Sequence, residues 1–162
     1  MELVEGIATV EDVNEFVAQL SGIAAEHGST VQAFDARTVV DREHLELAVE
    51  LARRERERGE AIADDEAVEI LLYAAGRRQI NRALEMGVSE GEGPVVVVVA
   101  GGDEHRAAEE VQQLVTPAET LGTYDRDRVR SFFEITDREL AATEGTLEDV
   151  VRERVAMLVV ER

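Results

Sequence analysis

The 162-residue chain has no cysteine, no lysine and no tryptophan, and only two prolines, two tyrosines and four phenylalanines. Without cysteine there is no disulfide, no thiolate metal ligand and no cysteine nucleophile. Long apolar stretches are missing too. The uncharged run of residues 95–100 is far too short to span a bilayer, and the opening MELVEGIATVED has no basic region ahead of an apolar one, as an export signal would. A cytoplasmic protein is expected.

Positive charge is equally scarce. All 17 basic residues are arginine, against 36 Asp and Glu, and the formal net charge is −19. Strong salt shortens the Debye length to about 3 Å at 1 M, so so acidic a surface repels itself little there and much more in dilute buffer. A cytoplasm at high salt is the simplest setting for such a balance. With 44% hydrophobic and 33% charged residues the chain still has the apolar content of a folded protein. At this length about 68–70% of the unfolded surface is buried on folding, which is enough for one domain spanning residues 1–162.

The acidity is uneven. Residues 1–52 carry about −9, residues 53–82 about 0 and residues 83–162 about −10. Within the neutral segment, residues 69–84 read EILLYAAGRRQINRAL, an apolar run set directly against paired arginines. A surface spared the general negative charge can accept an anionic partner that the rest repels.

Hydrophobic periodicity outlines the fold. Residues 3–9 alternate as a first strand, and a helix over 11–26 places Val13, Phe16, Val17, Leu20 and Ile23 on one stripe. Residues 30–34 read as a second strand. Asp41 caps a helix carrying Leu45, Ala48, Val49 and Ala52, and Asp64 or Asp65 caps the next, apolar almost all round from 70 to 75. Gly76 permits a break. After it, Ile80, Ala83 and Leu84 line one face of a short helix, with Arg78 and Arg82 on another and Gly87 as its C-cap. A GEGP loop leads into five valines that argue for a buried strand, and Gly101, Gly102 and Asp103 open a helix ending before Pro117. Residues 125–135 and 140–142 read as helical and Thr146 caps a last helix, which residues 157–160 either extend or, by preference, follow as a late strand. Strands alternating irregularly with helices predict a mixed α+β domain, a small antiparallel or mixed sheet packed with several helices.

Catalytic and metal chemistry have little anchor. His27, His44 and His105 lack HxH or HxxxH spacing, so a metal site would need tertiary convergence with carboxylates, and none is assigned. No serine sits in a GxSxG elbow. The glycines of VVVVVAGGDEHRAAEE match neither GxGxxG nor GxxxxGK[ST], and Asp103 and Glu104 would repel a phosphate at that helix start. Thirty-six carboxylates guarantee many pairs, so none stands out as a general acid and base. No cofactor is expected.

The arginines of the neutral segment form two groups. In ARRERERGE, Arg53, Arg54, Arg56 and Arg58 alternate with Glu55, Glu57 and Glu60 and read as a salt-bridged face. Arg77, Arg78 and Arg82 are less compensated. Guanidinium groups offer a donor fork for phosphate and a flat face for stacking, while Gln79 and Asn81 supply donors and acceptors for bases or sugars. In strong salt counterion release contributes little, which favours a short single-stranded element over a long duplex.

EILLYAAGRRQINRALEMGV closely resembles the segment written EILLYASGxRQIxxAI in the kinase-binding subunit of the KEOPS complex, the TPRKB-like family of archaea and eukaryotes. FDARTVVDREHLELAVELA resembles the same family's strand, turn and helix, and the order of elements agrees over most of the chain. The resemblance implies a noncatalytic partner of the small Bud-type atypical kinase, in an assembly that makes threonylcarbamoyladenosine in tRNA. It also implies recruitment of tRNA through its single-stranded CCA end and, with the acidity, an archaeal and halophilic source. By position, Ala75, Gly76, Arg77, Arg78, Gln79 and Ile80 occupy the family's Ala/Ser-Gly-x-Arg-Gln-Ile stretch; Ala75, Gly76, Arg77, Arg78 and Gln79 of it, with Arg82 in support, are the expected RNA-contacting residues. Ile80, Ala83, Leu84 and Met86 are expected to supply apolar surface, some to the core and some to the kinase. Two alternatives stay open: a protein-only regulator of the kinase, and a small enzyme with carboxylate chemistry.

Overall fold

In a computed structural model that describes residues 1–161, a four-stranded antiparallel sheet divides eight helices, counted among the described residues, into two layers. The first strand, β1 (Glu2–Val10), is followed by α1 (Val13–His27) and β2 (Thr30–Asp35). Three helices come next, α2 (Arg42–Glu57), α3 (Glu66–Ala75) and the single turn α4 (Ile80–Ala83), ahead of β3 (Gly91–Ala100). Then α5 (Glu104–Gln112) leads to the two-residue β4 (Thr116–Pro117), and α6 (Arg126–Phe132), α7 (Asp137–Ala142) and α8 (Leu147–Glu161) complete the chain.

The strand order is β2-β3-β1-β4. Each crossover through α1 or α5 joins two strands that flank a third, giving two interleaved split β-α-β units as in ferredoxin-like folds. The helices between β2 and β3, and those after β4, cover the second face.

The valine run shows why both faces are needed. Val95, Val97 and Val99 pack with Phe16, Leu20, Ala107 and Val111 of α1 and α5. Val96, Val98 and Ala100 point the other way, into the larger core with Phe34, Leu45, Leu72, Tyr73 and Val155. A strand covered on both sides reads as continuous apolar sequence, even in an antiparallel sheet.

Five aspartates start helices. Asp12, Asp41, Asp65, Asp103 and Asp125 each accept a backbone N–H in the first turn of the following helix. At α8, Thr146 and Asp149 cap each other reciprocally, the Thr146 N–H donating to Asp149 Oδ2 at 2.9 Å and the Asp149 N–H to Thr146 Oγ1 at 3.3 Å.

Two sequence expectations are corrected here. Residues 157–160 are helical and not a late strand, because Val151, Val155 and Leu158 recur at helical spacing and bury one stripe of α8. The GEGP segment is strand and not loop: Gly91 to Pro94 pair with Val10 to Ile7 of β1, beyond the point where β2 has ended opposite Val95. With a neighbour on one side only, that stretch accommodates a residue lacking an N–H.

Candidate nucleic-acid and partner interface

Helix α3 is a rigid pedestal for the neutral segment. Residues 69–75 are all buried, so side chains around its whole circumference are clamped by α2, α8 and the sheet. Even the charged member is held inside: the Glu69 carboxylate accepts the Ile62 N–H at 2.8 Å and the Ala63 N–H at 3.0 Å, with Arg56 Nη2 at 3.5 Å. It thereby fastens the segment between α2 and α3.

The helix ends in a Schellman arrangement. The Arg77 N–H donates to the Leu72 carbonyl and the Gly76 N–H to the Tyr73 carbonyl, both at 3.1 Å, with Gly76 left-handed at φ 62°. A Cβ on Gly76 would lie 3.0 Å from the Arg154 carbonyl oxygen of α8, so both the turn and the close approach call for glycine. The chain therefore leaves α3 in a fixed direction.

The residues expected to meet RNA then separate. Ala75 is buried and Gly76 half-buried. Arg77 is tied inward: Nη2 donates to the Phe132 carbonyl, Nη1 lies 3.5 Å from Glu134, and the guanidinium sits 5.4 Å from the Phe132 ring centroid. Arg78 is exposed, and no hydrogen bond or ion pair holds it among the described residues. Gln79 is exposed at the N-cap of α4, where its side chain makes no capping bond. Arg82 is exposed and pairs with Glu85 at 3.1 Å. Arg78 also borders a hollow of about 350 Å³ lined by Val68, Leu72 and Ile80 together with Asp64 and Asp65.

The apolar residues divide differently from the expected stripe. Ala83 and Met86 are fully buried in the core, which removes them from any contact surface of the folded chain. Ile80 and Leu84 are 49% and 57% exposed. The cause is the shortness of α4: after one turn the chain tightens into a 3₁₀ turn over Leu84–Met86, and Arg78 precedes the helix instead of lying on its face. Two further exposed apolar side chains, Met157 and Val160, escaped the sequence reading because that stretch was expected to be a strand. A helical register through Val151, Val155 and Leu158 would have left them outside. Met157 lines a hollow of about 290 Å³ with Gly76, Arg77 and Arg154.

Most of the other arginine group is engaged. Arg53 pairs with Glu66 at 3.3 Å, Arg56 donates to the Ala63 carbonyl at 2.7 Å, and Arg58 lies 3.5 Å from Glu55. His44 is fully buried, and desolvation pushes its pKa below the ordinary imidazole value.

The model of the family described as kinase binding protein CGI-121 matches residues 7–158. The chain belongs to the CGI-121 family. That match takes in all of α3, the Gly76 turn and the exposed residues 78–82, together with α8 as far as Leu158. A search of the curated proteins returns no match. Kinase binding is thus the shared description of the CGI-121 family, and among the described residues no helix is long and apolar enough to cross a membrane.

Proposed function

We propose that this chain is a noncatalytic KEOPS subunit that binds the Bud-type atypical kinase and recruits tRNA through its single-stranded CCA end. The observation that carries the RNA half is the pairing of an unengaged, exposed Arg78 with an uncommitted Gln79 amide on a turn whose direction α3 fixes. A guanidinium and an amide presented together offer phosphate contact, stacking and base-edge hydrogen bonds to unstacked nucleotides. Arg82, four residues further on, contributes a guanidinium paired with Glu85, whereas Arg77 holds the turn. Ile80 and Leu84, with Met157 and Val160 on α8, supply the apolar surface for the kinase.

Gel-shift titration of tRNA with and without its CCA end, in molar salt, tests the RNA half. Preferential binding of the intact tRNA, lost in Arg78→Ala with Gln79→Ala, is expected. Equal binding of both RNAs, or none, overturns it. One observation favours the protein-only regulator as second reading: Asp64 and Asp65 face the hollow beside Arg78, and Glu85 neutralises Arg82. Under that reading the kinase co-purifies with the chain while tRNA shows no shift.

A further inference from the structure

Among the described residues, one of the three histidines meets two carboxylates that sequence spacing could not connect to it. His27, the last residue of α1, and Glu110 of α5 are 83 positions apart, yet His27 Nε2 contacts Glu110 Oε2 directly. Glu26 brings a third ligand atom, and the three all lie within 4.8 Å of one another. The imidazole is largely enclosed, at 13% exposure, while Glu110 is half-buried and Glu26 exposed, so the cluster opens to solvent on one side.

The backbone around it is fixed independently. The His27 carbonyl accepts the Asp103 N–H at 2.9 Å. A Cβ on Gly102 would lie 2.3 Å from that same carbonyl oxygen, so the chain entering α5 is packed directly onto the end of α1. Gly28, left-handed at φ 64°, ends α1 immediately after the histidine and turns the chain towards β2. The ligand-bearing helices therefore meet at a corner set by main-chain packing, and the side chains inherit that rigidity.

We propose that Glu26, His27 and Glu110 form a binding site for a borderline divalent transition-metal ion of the zinc type, with water completing the coordination. One imidazole nitrogen and two carboxylates suit such an ion, whereas magnesium disfavours imidazole and calcium takes all-oxygen cages. Carboxylates already supply the negative charge, and Nε2 binds in the neutral imidazole form. A bound ion would link α1 to α5 on the sheet face opposite the α3 pedestal, as a cross-brace independent of RNA or kinase contact.

The test is calorimetric titration of the purified full-length chain with Zn²⁺, with Co²⁺ absorption as a spectroscopic probe and Mg²⁺ as a control. One Zn²⁺ per chain is expected, with at least about tenfold weaker binding in His27→Ala and in Glu110→Gln and no change in His105→Ala, which alters an exposed α5 histidine. His27→Gln, confirmed folded by circular dichroism, covers the case in which the alanine variant fails to fold. Absence of saturable Zn²⁺ binding overturns the proposal. So does binding unchanged in both site variants, which would reflect only the acidic surface, and so does Mg²⁺ competing at equal concentration.

Discussion

His44 Nε2 donates to the Ala74 carbonyl at 2.8 Å, tying α2 to the last turn of α3 just before Gly76. Its other nitrogen, Nδ1, lies 3.3 Å from the Val40 N–H and must accept from it, so the ring is neutral and protonated at Nε2. Protonation would destroy that acceptor inside the core.

The first prediction concerns acid stability. Burial holds the folded His44 below its ordinary pKa of 6.5, so the unfolded chain takes up the proton first and acid favours unfolding. Its contribution is complete above about pH 6.5 and declines as pH falls below that value. Carboxylates held low by their partners, such as Glu139 by Arg154, add their losses only under more acid conditions. Denaturant midpoints measured from pH 7.5 to pH 5 should fall in the wild type. The slope should flatten in a folded His44→Gln.

The second concerns Glu69. Converting it to glutamine puts an amide NH₂ where two backbone donors converge and removes the charge facing Arg56. A loss of about 2 kcal/mol is expected from one unsatisfied buried donor and a weakened charged bond. Urea denaturation measures it, and limited proteolysis should show faster cleavage within residues 59–65.

The third separates two neighbouring arginines. Arg77→Ala removes a bond to the Phe132 carbonyl and a ring contact, so about 1–2 kcal/mol of stability should be lost. Arg78→Ala should change stability by less than about 0.5 kcal/mol, as a solvent-exposed substitution without partners. Equal thermal shifts for the two would contradict the assignment of Arg77 as the anchor.

The fourth concerns Gly76. An alanine there meets a left-handed backbone at about 1 kcal/mol, together with crowding against the Arg154 carbonyl. A lowered Tm of a few degrees is expected by scanning calorimetry. Valine should be worse, since its branched side chain tolerates that backbone least.

The fifth concerns salt. With a net charge of −19, raising KCl from 0.1 M towards 2 M should raise Tm progressively as self-repulsion is screened. A Tm independent of salt would show that the acidic surface is adapted to something else.

How far the sequence could be read depended on whether local pattern or long-range contact set each feature. The helix starts at Asp41, Asp65 and Asp103 were legible because a capping carboxylate acts within three residues. The valine strand was legible because burial on both faces leaves no polar position. Position on α4 was not: the expected stripe of Ile80, Ala83 and Leu84 assumed a helix long enough to have a face, and one turn followed by a 3₁₀ turn turned Ile80 and Leu84 outward and Met86 in. Arg77 and Arg78 look alike in sequence, and only the approach of α6 at Phe132 distinguishes anchor from exposed side chain. The meeting of His27 with Glu110 lay beyond any spacing rule, since the corner between α1 and α5 creates it.

The strand order carries one more consequence, for the growing polypeptide. Neither β1 nor β2 hydrogen-bonds to a strand formed before β3, since both pair with Gly91–Ala100 and β1 otherwise only with the later Thr116–Pro117. During synthesis the first ninety or so residues thus emerge with two unpaired strands and no sheet to join, in a topology whose native contacts are far apart along the chain. The roughly −9 carried by residues 1–52 would keep neighbouring nascent chains apart until the valine strand leaves the ribosome and pairs with β1 and β2 together.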